Sequence, residues 1–96
     1  YIKTYLMNLD CFTVYVLLSI KNGTLCTGFT SNLIKRFHDH NFNNKSGYTV
    51  KHRPWIVLYT EIYLSKKEAI TREKYLKSGA GRDFIKKNVF PNYSIL

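Results

Sequence analysis

Ninety-six residues, 45% hydrophobic and 22% charged, suffice for one globular domain and leave no room for a second core. Fifteen lysines and arginines against six acids give a net charge of +9, which suits a polyanion such as nucleic acid, although a merely soluble basic domain has the same balance. The longest apolar run falls far short of the roughly 20 residues that span a bilayer, and no basic leader precedes it, so the expectation is a cytoplasmic (intracellular) protein with no membrane partner.

The first residue is Tyr1 rather than Met, which predicts a fragment or processed chain whose opening Tyr1–Asp10 holds non-native or flexible sequence. Cys11 and Cys26 lack CxxC spacing and a histidine-rich neighbourhood, so zinc is not expected and both thiols are expected to be reduced.

From Phe12 the run Phe-Thr-Val-Tyr-Val-Leu-Leu, then Lys21-Asn22-Gly23, then a second short run to Thr30 predicts a β-hairpin. A two-residue Asn22-Gly23 loop would pair Ser19 with Cys26, Leu17 with Gly28 and Tyr15 with Thr30, placing Tyr15, Cys26 and Gly28 on one face. Glycine inside a strand marks either clearance for a neighbour, here Tyr15, or a bulge.

Ser31 or Asn32 caps a predicted helix from Asn32 to about Asn41, with Leu33, Ile34 and Phe37 as its apolar stripe. Arg36 and His40 lie four apart on one edge of that stripe, an arrangement that suits a phosphate, although a lone arginine is more often a solvated surface charge. Phe42 to Pro54 reads as a polar, basic loop in which Lys45, Lys51, His52 and Arg53 are the candidates for contact with backbone phosphates. Trp55 to Ile62 follows as a third strand, expected at the centre of the core.

Ser65 and Glu68 form a capping box for a helix to about Lys77. Glu73 falls in the middle of its apolar face, where a carboxylate is costly unless it is paired or binds a metal. An ion pair with Arg36 or Arg72 and a one-carboxylate site for a hard divalent cation are both open at this point. Gly79-Ala80-Gly81 predicts a flexible break, and Arg82 to Asn88 a short closing helix ended by Pro91.

Taken together, the tyrosine on the first strand, the glycine on the second, Leu33-x-x-Arg36 with His40-Asn41, the Tyr48-Thr49…Arg53-Pro54-Trp55 loop and Arg72-Glu73-Lys74-x-Leu76-Lys77 resemble the GIY-YIG nuclease family over roughly Phe12 to Lys87. The chain is most similar to the small stand-alone bacterial members, which resemble the catalytic domain of the excision-repair nuclease. The two motif positions read Thr13-Val14-Tyr15 and Cys26-Thr27-Gly28, with ten residues between Tyr15 and Cys26, a spacing typical of the family. The implied fold is one α/β (α+β) domain over 1–96, core about 12–88, with a small, mainly antiparallel three-stranded sheet flanked by helices.

The resemblance further implies a DNA endonuclease that uses Mg2+ or Mn2+. Tyr15 would act on the attacking water, Arg36 would stabilise the phosphate, Glu73 would hold the metal, and His40 and Tyr48 would line the site. The family typically places two tyrosines there, whereas this chain has Cys26 at the second position. A weakened nuclease, an inactive nucleic-acid binding module on the same fold, and rescue of the lost hydroxyl by Tyr48 or His40 are the three consequences open to it. A basic protein-interaction domain is a third class, which steeply salt-dependent DNA binding would exclude.

Overall fold

The computed structural model describes residues 11–92, so the expectation for Tyr1–Asp10 falls outside the described residues. Its sheet has three antiparallel strands, β1 (Phe12–Ser19), β2 (Leu25–Thr30) and β3 (Trp55–Tyr63), in the order β2-β1-β3. The central strand is therefore β1 and not β3. The reason lies in the patterning: every residue from Val14 to Ser19 is buried, as befits a strand covered on both faces, whereas β3 exposes Val57 and Ile62.

The β1–β2 hairpin is present, but its register differs from the expected one by two residues. Tyr15 pairs with Gly28, Leu17 with Cys26 and Thr13 with Thr30. The loop is Ile20–Gly23, closed by Ser19 N–H donating to the Thr24 carbonyl and Gly23 N–H to the Ser19 carbonyl, both at 2.8 Å. A type I′ turn needs positive φ at both central residues, and here only Gly23 has it, at 78°. Because a slip of two preserves alternation, Tyr15, Cys26 and Gly28 still share a face.

Helix α1 (Leu33–His38) starts where Asn32 Oδ1 accepts from Lys35 N–H at 3.1 Å, then widens into a π-helical turn, Asp39–Asn43. The predicted loop after it contains one short helical turn, α2 (Tyr48–Lys51). Helix α3 (Lys66–Lys77) begins at Ser65, whose Oγ accepts from Glu68 N–H at 3.3 Å. Ser78 ends α3 and caps α4 (Gly79–Asn88), so Gly79-Ala80-Gly81 is the first turn of a helix rather than a flexible break. Gly81 serves close packing: a Cβ there would lie 2.7 Å from the Leu76 carbonyl carbon. Pro91 sits in a 3-10 turn, Phe90–Asn92, just beyond α4.

Val14, Val16 and Leu18 of β1 form the main core with Leu58, Ala69, Leu76, Ile85 and Val89, sealing α3 and α4 against one face of the sheet. The opposite face carries a smaller cluster of Tyr15, Leu17 and Trp55, against which Cys26, Leu33 and Phe37 pack. Among the described residues no helix is long and apolar enough to cross a membrane.

Candidate active site

Gly28 is the hinge of the site. A Cβ at that position would stand 2.7 Å from Cζ of Tyr15 and 3.2 Å from its Cε2, and closer still to the hydroxyl, so only glycine lets the Tyr15 ring extend across β2. The ring is 4% exposed, and its Oη lies 3.1 Å from Nε2 of His40. A cavity of about 590 Å3 opens there, lined by Tyr15, Cys26, Gly28, Arg36, His40 and Glu73. Thr27, which points to the helix-covered face, also lines it, so the cavity wraps around the open edge of β2. One wall is α1 with its π-helical turn and the other is α3. Sequence patterning placed Tyr15 on the first strand, Arg36 and His40 on one helix and Glu73 on another, and the fold brings the four to one cavity.

Burial sets the protonation of the two residues in contact. It pushes the Tyr15 phenol up to about 12, with the Cys26 and Glu73 charges adding to the rise and Arg36 opposing it. It pushes His40 below its ordinary value, and the Arg36 charge adds to that fall. A neutral phenol therefore faces a neutral imidazole. Nδ1 of His40 is buried without a hydrogen-bond partner among the described residues. Burial also raises the Cys26 thiol above its usual value despite the nearby Lys77 and Arg36 charges, so Cys26 stands as a neutral thiol and not as a thiolate base.

Glu73 is paired neither with Arg36 nor with Arg72. Its carboxylate, 16% exposed, meets Lys77 Nζ at 3.4 Å, one turn along α3. Arg72 is engaged elsewhere: Nε and Nη2 donate to Glu61 at 2.8 and 3.0 Å, and the hydroxyls of Tyr59 and Tyr63 donate to the same carboxylate. The Arg36 side chain, exposed, has no hydrogen-bond partner among the described residues and is open to an incoming anion.

The basic loop divides in two. Lys45 and Lys51 are exposed, and His52 Nδ1 lies 2.7 Å from Asn22 Nδ2. Arg53 turns inward: Nε donates to the His40 carbonyl at 2.6 Å, and Nη2 to those of Asn44 and Asp39 at 2.6 and 3.2 Å. Asn41 docks on Trp55 from the same turn, accepting its N–H at 2.7 Å and donating to its carbonyl at 3.1 Å. These contacts hold the turn that carries His40. Sequence reasoning missed them because neither contact follows a helical or strand period. Tyr48 lies outside the Tyr15 cavity, its ring 4.5 Å from that of His52, and lines a neighbouring cavity with Cys26.

Over residues 11–88 the chain matches the family described as the GIY-YIG catalytic domain. It belongs to the GIY-YIG family. The chain is 37% identical over 65 residues to a UPF0213 protein of Staphylococcus haemolyticus, covering 68% of this chain and 78% of the relative. It is 41% identical over 64 residues to one from Clostridium perfringens, covering 67% and 68%. One from Desulfotalea psychrophila is 35% identical over 85 residues, covering 77% of each. This GIY-YIG chain thus has a nuclease fold.

The donor set bears on a metal. Among the described residues no three His, Cys, Asp or Glu side chains gather as a chelating cluster. Of the described residues the cavity offers one hard carboxylate, Glu73, and the exposed Arg36 lines it too. That set fits magnesium or manganese, ions that keep most of their waters and take one or two carboxylates together with substrate phosphate. It does not fit zinc.

Proposed function

We propose that this chain is a divalent-metal-dependent endonuclease that hydrolyses DNA phosphodiesters. The observation that carries the reading is the meeting of Tyr15, His40, Arg36 and Glu73 around one open cavity in a strongly basic GIY-YIG domain. Arg36 receives the non-bridging oxygens of the scissile phosphate, since a guanidinium matches them in bidentate fashion. Tyr15 orients the attacking water. With its proton held up to about pH 12, it is not a resident phenolate. It works as a relay: as the water oxygen bonds to phosphorus, the water proton passes to Tyr15 Oη and the phenol proton to His40 Nε2. The neutral imidazole, kept so by its lowered pKa, is ready to take it. Glu73 would hold Mg2+ or Mn2+, and an ion bound there would supply positive charge toward the phosphate oxygens. Exposed Lys45 and Lys51 extend the positive surface for the DNA backbone.

Cys26 removes a second phenol from this arrangement, and a weakened nuclease is the expected result. Supercoiled plasmid nicking with magnesium or manganese tests the reading, comparing the native chain, Glu73→Ala and Cys26→Tyr. Nicking by the native chain, lost in Glu73→Ala and increased in Cys26→Tyr, is expected. Unchanged nicking by Glu73→Ala refutes the site. No native nicking, with activity appearing in Cys26→Tyr, moves the chain to the class of binding modules on a nuclease scaffold.

A further inference from the structure

A second cavity, of about 340 Å3, adjoins the first along the open edge of β2. Cys26 and Thr27 line both, so the two are neighbours across a single pair of side chains. Its other lining residues fall into two chemistries. Leu25, Leu76 and Ile85 supply an apolar wall, while Tyr48, Lys77 and Arg82 supply an aromatic ring and two cations. Among the described residues no carboxylate lines it, in contrast to the cavity that contains Glu73. An aromatic ring, an apolar wall and paired cations together match a nucleotide: a flat base and a phosphate.

Lys77 joins the two cavities chemically. It lines the second, and its Nζ lies 3.4 Å from the Glu73 carboxylate that lines the first. At 54% side-chain exposure it is free to change partner. Cys26 is the other joint: it lines both cavities, and a tyrosine there would put a ring where they meet.

We propose that the second cavity receives the unpaired nucleotide flanking the scissile phosphate, its base against Tyr48 and its phosphate on Lys77 and Arg82. Lys77 exchanges the Glu73 carboxylate for that phosphate, so that arrival of the strand frees Glu73. A base inside a continuous duplex is stacked and paired and does not reach Tyr48, so the preferred substrates are single-stranded, frayed or flapped DNA. This rests on the nuclease reading above and names its substrate class.

The test is equilibrium binding, by fluorescence anisotropy in EDTA, of a labelled single-stranded oligonucleotide and a blunt duplex of the same length. The native chain is expected to favour the single strand. Tyr48→Ala is expected to weaken that complex roughly 5- to 100-fold, far more than the duplex complex, while Tyr48→Phe, which keeps the ring, restores it. Lys77→Ala and Arg82→Ala should each lower the salt slope of single-strand binding by about 0.7. Cys26→Tyr should reduce the preference for the single strand. Equal binding of both DNAs by the native chain overturns the proposal, as does native single-strand affinity in Tyr48→Ala. Because no metal is present, the outcome is independent of cleavage. A single-strand preference in a chain that never nicks plasmid supports this cavity and removes the nuclease reading, whereas nicking without the preference removes this proposal alone.

Discussion

Arg53→Ala separates two roles that the basic loop allowed for this residue. In the structure the guanidinium is spent on three backbone carbonyls, those of His40, Asn44 and Asp39, at 2.6, 2.6 and 3.2 Å. Hydrogen bonds from a charged donor contribute about 1.5–3 kcal/mol each when well buried. These are half-buried, and water would replace part of what is lost, so the expected destabilisation is about 2–4 kcal/mol in total. Urea unfolding followed by Trp55 fluorescence reads that change directly, since Trp55 is the chain's one tryptophan and is 2% exposed. The His40 carbonyl is among those released, so the imidazole should lose its fixed position against Tyr15. A residue that touched phosphate would behave otherwise: its loss would lower the salt slope of DNA binding by about 0.9 and leave unfolding nearly unchanged. Wild-type stability together with a reduced slope in Arg53→Ala would refute the clamp and restore the phosphate contact.

Two more outcomes follow from the same geometry. Gly28→Ala forces the buried Tyr15 ring aside, and overpacking of this kind costs about 1–3 kcal/mol. A ring moved by about 1 Å is expected to lower the nicking rate about 100-fold, and a native rate in this variant would contradict the packing argument. The pH dependence has two limbs. Tyr15 titrates near 12 in the fold against 10.0 for an unburied phenol, so the folded state holds its proton more tightly. Its stabilisation is complete below pH 10 and is lost as pH rises toward 12, about 2–3 kcal/mol in all. Tyr15→Phe should flatten this alkaline limb, and an equally steep limb in that variant would exclude Tyr15 as its source. His40 is depressed below 6.5, so its stabilisation is present above that pH and is lost as pH falls through the lower folded value. Urea midpoints from pH 7 down to 5 should fall in the native chain and fall less in His40→Gln.

The elements were legible where local chemistry dictated them. A continuous apolar run and Asn-Gly announced the hairpin, and Ser65 with Glu68 announced α3 at the residue where it starts. Register was not legible, because it depends on whether Asn22 accepts positive φ, and a hydrogen bond from Thr24 N–H to Asn22 Oδ1 stabilises another turn. The face assignment survived that error because strand alternation has period two. β3 contributes Trp55 and Leu58 to the buried clusters as its β-prone run suggested, but the strand covered on both faces is β1, whose run of buried residues from Val14 to Ser19 is unbroken. Glu73 was visible as an anomaly on an apolar face. Its partner was readable too, since Glu and Lys four apart in that order is the favourable helical spacing, yet the arginines drew attention away from Lys77.

The fold sorts the arginines by what lies within reach, and that sorting explains why the cavity keeps its positive charge. Arg72 sits where β3 offers Glu61, flanked by two tyrosine hydroxyls, with Tyr75 and Phe84 beneath the guanidinium at 4.9 and 5.1 Å from their ring centroids. A charge so satisfied has little left to give a ligand. Arg53 is spent on carbonyls that a π-helical turn leaves pointing outward. Arg36, on the exposed edge of α1, has neither a carboxylate nor a row of open carbonyls to satisfy it among the described residues. Its field is felt instead by the groups around the cavity, opposing the burial-driven rise of Tyr15 and Cys26 and adding to the burial-driven fall of His40. A phosphate arriving there would meet an unspent guanidinium and a neutral imidazole, and the Glu73 carboxylate is already partly offset by Lys77. A Cys26→Tyr change would add a hydroxyl to this field without disturbing the charges that create it, which makes it the informative variant.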